Sequence, residues 1–130
     1  MSRGSGPIYA GRVNMCPCDL DRAYADCCGA LHRGDRQAVT PVELMRSRYA
    51  AFAVGDTFYL TRTWHPRTRP DDLSTERHVR WTGLTILAEG DDTVDFEARW
   101  ISPDGDGALR EHSRFVRRGG RWVYVDGDVA

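Results

Sequence analysis

The sequence predicts an α+β fold in which two helices pack on one face of a curved, four-stranded antiparallel sheet, behind a small N-terminal cysteine knuckle. Three observations predict it. Four cysteines fall within 13 residues, at positions 16, 18, 27 and 28. A helical spacing of apolar residues over 40–65 gives way to strict alternation after residue 77. The turns between the alternating segments are short and rich in Gly and Asp, which joins neighbouring strands antiparallel.

The chain has 130 residues, enough for one domain with a real hydrophobic core. Hydrophobic residues make up 41% and charged residues 28%, ordinary for a globular protein. A net charge of −1 argues against a nucleic-acid or membrane-surface protein. No apolar run approaches the roughly 20 residues that span a bilayer. Residues 1–15 lack the apolar stretch of a secretory signal, which places the protein in the cytoplasm. All eighteen basic residues are Arg, so a Lys nucleophile or Schiff base is excluded.

Residues 1–15 carry no periodicity and read as a flexible lead. Residues 16–32 read as the knuckle. In a reducing compartment a tight group of four thiols favours a metal over disulfides. Adjacent Cys27 and Cys28 are poorly placed to bridge each other. Copper(I) and iron also take thiolates, but a closed four-sulfur shell is most simply one structural Zn²⁺ with no open catalytic position. Two disulfides or four free thiols are the alternatives. Pro17 stiffens the first ligand pair. Asp21 is the expected cap of a helix over 22–28, Gly29 its stop and Tyr24 its apolar anchor. Four thiolates and one Zn²⁺ sum to a charge of about −2, which Arg12, Arg22 and Arg33 are near enough to offset.

After a polar connector over 29–39 comes the α+β domain, residues 40–130. Thr40-Pro41-Val42-Glu43 is a helix start with a Thr cap, Pro at the first helical position and Glu closing a capping box. Met45, Tyr49, Phe52 and Ala53 share one face, with Arg46 and Arg48 off that stripe. Gly55 ends this helix. Asp56 caps a second one, in which Leu60 and Trp64 lie one turn apart. Pro66 and Pro70 open a loop. Four strands follow at 78–87, 93–101, 108–117 and 121–126. Val94, Phe96, Ala98 and Trp100 share a face of the second strand. Leu109, Glu111, Ser113 and Phe115 share a face of the third, and Trp122, Tyr124 and Asp126 of the fourth. Apolar faces with a few polar intrusions suit a sheet curved around a partly polar cavity.

That face supplies the candidate site. Glu111 intrudes between Leu109 and Phe115. It reads as an acid or base with a raised pKa, or as the buried partner of Arg46 or Arg48. Ser113 lies beside it. Trp64, Trp100 and Tyr124 could line a pocket or serve as core, as could Trp81 and Trp122. His65 reads as a proton shuttle at the cavity mouth or as a histidine at a helix C-terminus. Asp126 reads as an acid or as the cap of the turn at Gly127. His32, His78 and His112 are expected to be exposed. No phosphate loop, nucleophile elbow or His-Glu-x-x-His helix is present.

Two resemblances sharpen this reading. Cys16-Pro17-Cys18, Tyr24 and Cys27-Cys28 resemble the SEC-C zinc motif of the bacterial secretion motor in the spacing of all four ligands. That motif usually continues Gly-Ser-Gly-Lys, where this chain has Asp19-Leu20-Asp21-Arg22. There the module binds an acidic chaperone surface, which Asp19, Asp21 and Asp26 do not suit. Leu44-Met45-Arg46-Ser47-Arg48-Tyr49, Thr63-Trp64-His65-Pro66, Glu111-His112-Ser113-Arg114-Phe115 and the segment from Trp122 to Gly127 resemble the YchJ-like family of uncharacterised bacterial proteins. The resemblance covers residues 16–127. It implies an SEC-C knuckle followed by a nuclear-transport-factor-2-like (cystatin-like) cone. Such cones host enzymes and non-catalytic binding domains, so fold alone does not choose a function.

The reading that follows is a zinc-stabilised cytoplasmic binding or adaptor protein. It would engage a protein partner through the knuckle, or a small ligand in the cone. Catalysis in the cavity with Glu111 as acid or base is one alternative, and ribosome or nucleic-acid association through arginines is another.

Overall fold

The computed structural model describes residues 15–75 and 79–130. The expected lead over 1–15 apart from Met15, Arg12 included, and His78 lie outside them. A 3₁₀ turn, Tyr24–Asp26, leads into helices α1 (Cys28–Arg33), α2 (Pro41–Val54) and α3 (Thr57–Arg62). Strands β1 (Arg80–Glu89), β2 (Thr93–Ile101), β3 (Gly107–Arg118) and β4 (Arg121–Val129) follow. They form one antiparallel meander in the order β1-β2-β3-β4.

Helix α2 begins as its sequence dictates. Thr40 has extended backbone angles and its hydroxyl accepts from the Glu43 amide at 3.1 Å. Glu43 reaches back to accept from the Val39 amide at 2.8 Å, one residue earlier than a capping box requires. The helix stops at Gly55, whose φ of 81° is in the left-handed region. Asp56 then caps α3 by accepting from the Tyr59 amide at 3.0 Å.

Five expectations for the helices are corrected. The helix over 22–28 is replaced by the 3₁₀ turn and α1, so part of the 29–39 connector is helical. Asp21 does not cap it, because its φ is 57° and the chain is still turning there. Gly29 lies inside α1, where a Cβ would press on the Tyr24 carbonyl and ring. Gly34, at φ 83°, is the stop. Trp64 lies beyond α3, where it forms a short parallel bridge with Tyr124. Ala53 is exposed.

The core lies between α2, α3 and the sheet. Leu44, Leu60, Val94 and Phe115 are its most deeply buried large apolar side chains. Alternation places Val94, Phe96 and Ala98 inward from β2, and Ser113 and Phe115 inward from β3. On β4 the alternation breaks. Arg114 pairs with Asp126 but Phe115 pairs with Tyr124, so Val125 is an extra, bulged residue. Asp126 is therefore turned to the outer face, where it binds Arg114 at 2.6 Å. It does not share a face with Tyr124.

A second small cluster joins the four cysteines to Ala50 of α2, with Tyr24 packed against it. No described helix is long and apolar enough to cross a membrane. Leu60→Ala should cost about 3 kcal/mol, the usual loss for a large apolar side chain cut from a rigid core. Leu87→Ala, at a position 47% exposed, should cost less than about 0.5 kcal/mol. Urea denaturation of the two variants checks the contrast.

Candidate metal centre and cavity

The four thiols converge because the chain doubles back twice. The Cys16 amide donates to the Arg22 carbonyl at 2.8 Å, closing the first loop. The 3₁₀ turn and the start of α1 bring Cys27 and Cys28 back against it. All four sulfur atoms lie within 4.8 Å of one another, and all four residues are buried. The Sγ atoms of Cys18 and Cys27 are 3.6 Å apart. An ideal tetrahedron with Zn–S near 2.3 Å has edges of about 3.8 Å. All four thiols are free of disulfides. The set can hold one metal ion and leaves it no open position.

Without a cation the four neighbouring thiols compete for their protons. Hydrogen bonds with Cys18 and Cys28 push the Cys16 thiol down. The same bonds, with burial, push Cys18 and Cys28 up. Four buried thiolates need a cation between them.

Asp19 and Asp21 occupy φ of 68° and 57°. Those are the positions where the motif usually has glycine. Asp is one of the few side chains that tolerate this region. Asp19 also does what glycine cannot, since its Oδ2 accepts the Leu84 amide of β1 at 3.1 Å. Helix α2 holds the other side. Arg46 donates to the Cys18 carbonyl at 2.7 Å. Among the described arginines Arg46 thus reaches the cysteine loop; Arg33 binds Asp35 and the Ala25 carbonyl instead, and Arg22 is exposed.

His32 corrects another expectation, with a side chain only 4% exposed. Its Nε2 donates to the Ser47 carbonyl at 2.8 Å, because a carbonyl can only accept. In the neutral ring Nδ1 then accepts from the Tyr24 hydroxyl at 2.5 Å. The knuckle, α1 and α2 are tied through this one ring. His112 is half-exposed and sits 2.5 Å from Asp95.

On the opposite side of α2 lies a cavity of about 280 Å³. Met45, Arg48, Tyr49 and Phe52 line it from α2, and Trp64 closes it from the turn after α3. The sheet contributes Trp81, Phe96, Ala98, Leu109, Glu111, Ser113 and Tyr124. Five of the eight candidate residues thus meet here: Arg48, Trp64, Glu111, Ser113 and Tyr124. Arg46 is on the knuckle side. Trp100 packs edge-on to Trp81, with ring centroids 5.7 Å apart, and covers Gly107. His65 is outside the lining, where its Nδ1 accepts the Arg67 amide at 3.1 Å.

Glu111 faces the cavity, but its expected ion pair is absent among the described residues. Its Oε2 accepts from the Tyr124 hydroxyl at 2.7 Å. Burial, then this bond, raise the Tyr124 phenol well above its usual range. Gly127 seats the carboxylate, since a Cβ there would overlap Oε2. Arg48 packs instead against both Trp64 and Tyr124, 4.7 Å from each ring centroid, where the two rings meet edge to face. Sequence reasoning missed Gly127. The signal was the β4 bulge, which alternation cannot reveal.

Residues 40–127 match the family described as YchJ, middle NTF2-like domain. A UPF0225 protein of Deinococcus radiodurans is 51% identical over 97% of this chain and 98% of its own. The chain belongs to this YchJ-like, UPF0225 family. Another UPF0225 protein, of Streptomyces avermitilis, is also 51% identical, over 95% of this chain and 91% of its own. The solution structure of an SEC-C motif containing protein from Rhodopseudomonas palustris is 31% identical. It superposes with a TM-score of 0.75 over 88% of this chain and 97% of that one. A crystal structure of a second SEC-C motif containing protein, from Psychrobacter arcticus, shares the fold at 22% identity. Its TM-score is 0.68, over 91% of this chain and 84% of that one. The family's SEC-C knuckle and NTF2-like domain are both present here.

Gly127→Ala tests how the cavity carboxylate is seated. It should push Glu111 aside, break the bond from Tyr124 and lower stability by about 1–2 kcal/mol. Unchanged stability together with an unchanged Tyr124 environment by NMR contradicts the seating.

Proposed function

We propose that the protein is a cytoplasmic, zinc-stapled binding protein. Its knuckle holds one structural Zn²⁺ and offers a surface to a protein partner, and its cone takes a small ligand. The observation that carries this reading is the division of labour across α2. The cysteine site is buried and closed, which suits structure rather than chemistry. The cavity is mainly apolar with a few convergent polar groups, which suits a small-molecule site.

The enzyme reading has less support. Glu111 already accepts from Tyr124 and rests on Gly127, which favours positioning over proton transfer. Nucleic-acid association also has less support, because several arginines of the outer sheet face are neutralised. Arg110 pairs with Glu97, and Arg114 with Asp126 and Asp128.

Metal analysis of protein purified without added zinc should give one zinc per chain, and Cys18→Ser should abolish it. A different ion at full stoichiometry, or none, contradicts the zinc assignment. For the cavity, small aromatic and aliphatic compounds should shift the NMR signals of Trp81 and Leu109. Leu109→Trp, which fills the cavity from β3, should remove that response while the protein still unfolds cooperatively. A response that survives Leu109→Trp contradicts the cavity as the binding site.

A further inference from the structure

Arg48 is the least expected group in the cavity wall. It is only 3% exposed. Its Nη1 donates to the Leu60 carbonyl at 3.0 Å and to Thr63 Oγ1 at 2.7 Å. The Thr63 hydroxyl donates in turn to the Tyr59 carbonyl at 2.7 Å, so it is free to accept from Arg48. Among the described residues, Nε and Nη2 have no hydrogen-bond partner, and no carboxylate oxygen lies within 4.0 Å of the group. Buried cations are almost always paired. The two flanking rings replace part of the lost hydration. Burial lowers Arg48 to about 10, so it keeps its charge near neutral pH.

Two neighbours in the same wall point the same way. Trp64 Nε1 and Ser113 Oγ are buried polar atoms with no partner among the described residues. Both residues line the cavity. Native interiors rarely leave such atoms unpaired. Three polar groups of one wall are therefore incomplete together. The carboxylate of that wall does not complete them, because Glu111 is held by Tyr124 across Gly127.

We propose that the cavity binds a small organic carboxylate, with its acid group on Arg48 and its apolar body against Phe52, Trp81, Phe96 and Leu109. This rests on the reading of the cavity as a ligand site. A planar carboxylate matches the guanidinium fork, which can offer it two parallel hydrogen bonds. A doubly charged phosphate suits the wall less well, because Glu111 contributes a negative charge to it. A volume of about 280 Å³ is at the small end for such sites, which limits the body to one ring or a short chain.

The test is an NMR titration of the full chain as purified. Benzoate, 3-phenylpropionate and hexanoate are each compared with the corresponding primary amide. The indole N–H of Trp64 and the amides of Leu109 and Ser113 report on the cavity. The acids should saturate these shifts at concentrations at least tenfold lower than the amides, and Arg48→Met should abolish that preference. Equal response to acid and amide overturns the carboxylate assignment and leaves the cavity reading standing. No response at these positions to either series overturns both. Shifts confined to the outer-face arginines, such as Arg110 and Arg114, overturn the assignment to Arg48. If Arg48→Met does not fold, the acid-against-amide comparison in the unaltered protein decides alone.

Discussion

The packing of α2 between the cysteine knuckle and the sheet is the contact on which the rest of the structure depends. Residues one helical turn apart share a face. Arg46 and Ala50 face the thiols, one binding the Cys18 carbonyl and the other packing in the cysteine cluster. Met45 and Tyr49, with Arg48 and Phe52, face the cavity. A helix used on both sides cannot move toward one neighbour without leaving the other. The knuckle has further fastenings in the His32 bond to the Ser47 carbonyl and the Arg62 bond to the Leu31 carbonyl. The Asp19 bond to the Leu84 amide extends the attachment to β1.

This arrangement gives the metal site a purpose beyond its own loop. A bare group of four buried thiols is electrostatically poor support for a helix, because burial opposes each thiolate. A bound dication would cut the charge of four thiolates to about −2 and stiffen the knuckle. The cavity on the far side would share that stiffness, since Arg48 and Tyr49 project from the same helix. An arginine packed against two touching rings, with a threonine and a carbonyl fixing one nitrogen, is a preorganised donor.

Much of this was legible in the sequence, for identifiable reasons. The cysteine spacing reports its chemistry directly, because few other arrangements satisfy four thiols. Thr40, Gly55 and Asp56 announce their caps through short-range backbone chemistry, and the structure places each one there. Strand alternation placed Glu111 and Ser113 on the cavity side. What was not legible involves departures from regular period. The bulge at Val125 turns Asp126 outward and brings Gly127 beneath Glu111. The bridge to Tyr124 takes Trp64 out of the helix. Arg46 and Arg48 look alike in sequence, two polar residues beside an apolar stripe. Only the tertiary contacts on each side of α2 assign one to the knuckle and the other to the cavity.

Through α2, which touches both, the cysteine site and the cavity form one mechanical unit. Amide hydrogen exchange of the protein before and after removal of the metal by a chelator tests it most directly. Protection should be lost across residues 16–33 and also at 46–51 of α2 and at the Leu84 amide, while β3 and β4 keep theirs. Loss confined to 16–33, with α2 and Leu84 as protected as before, would contradict it.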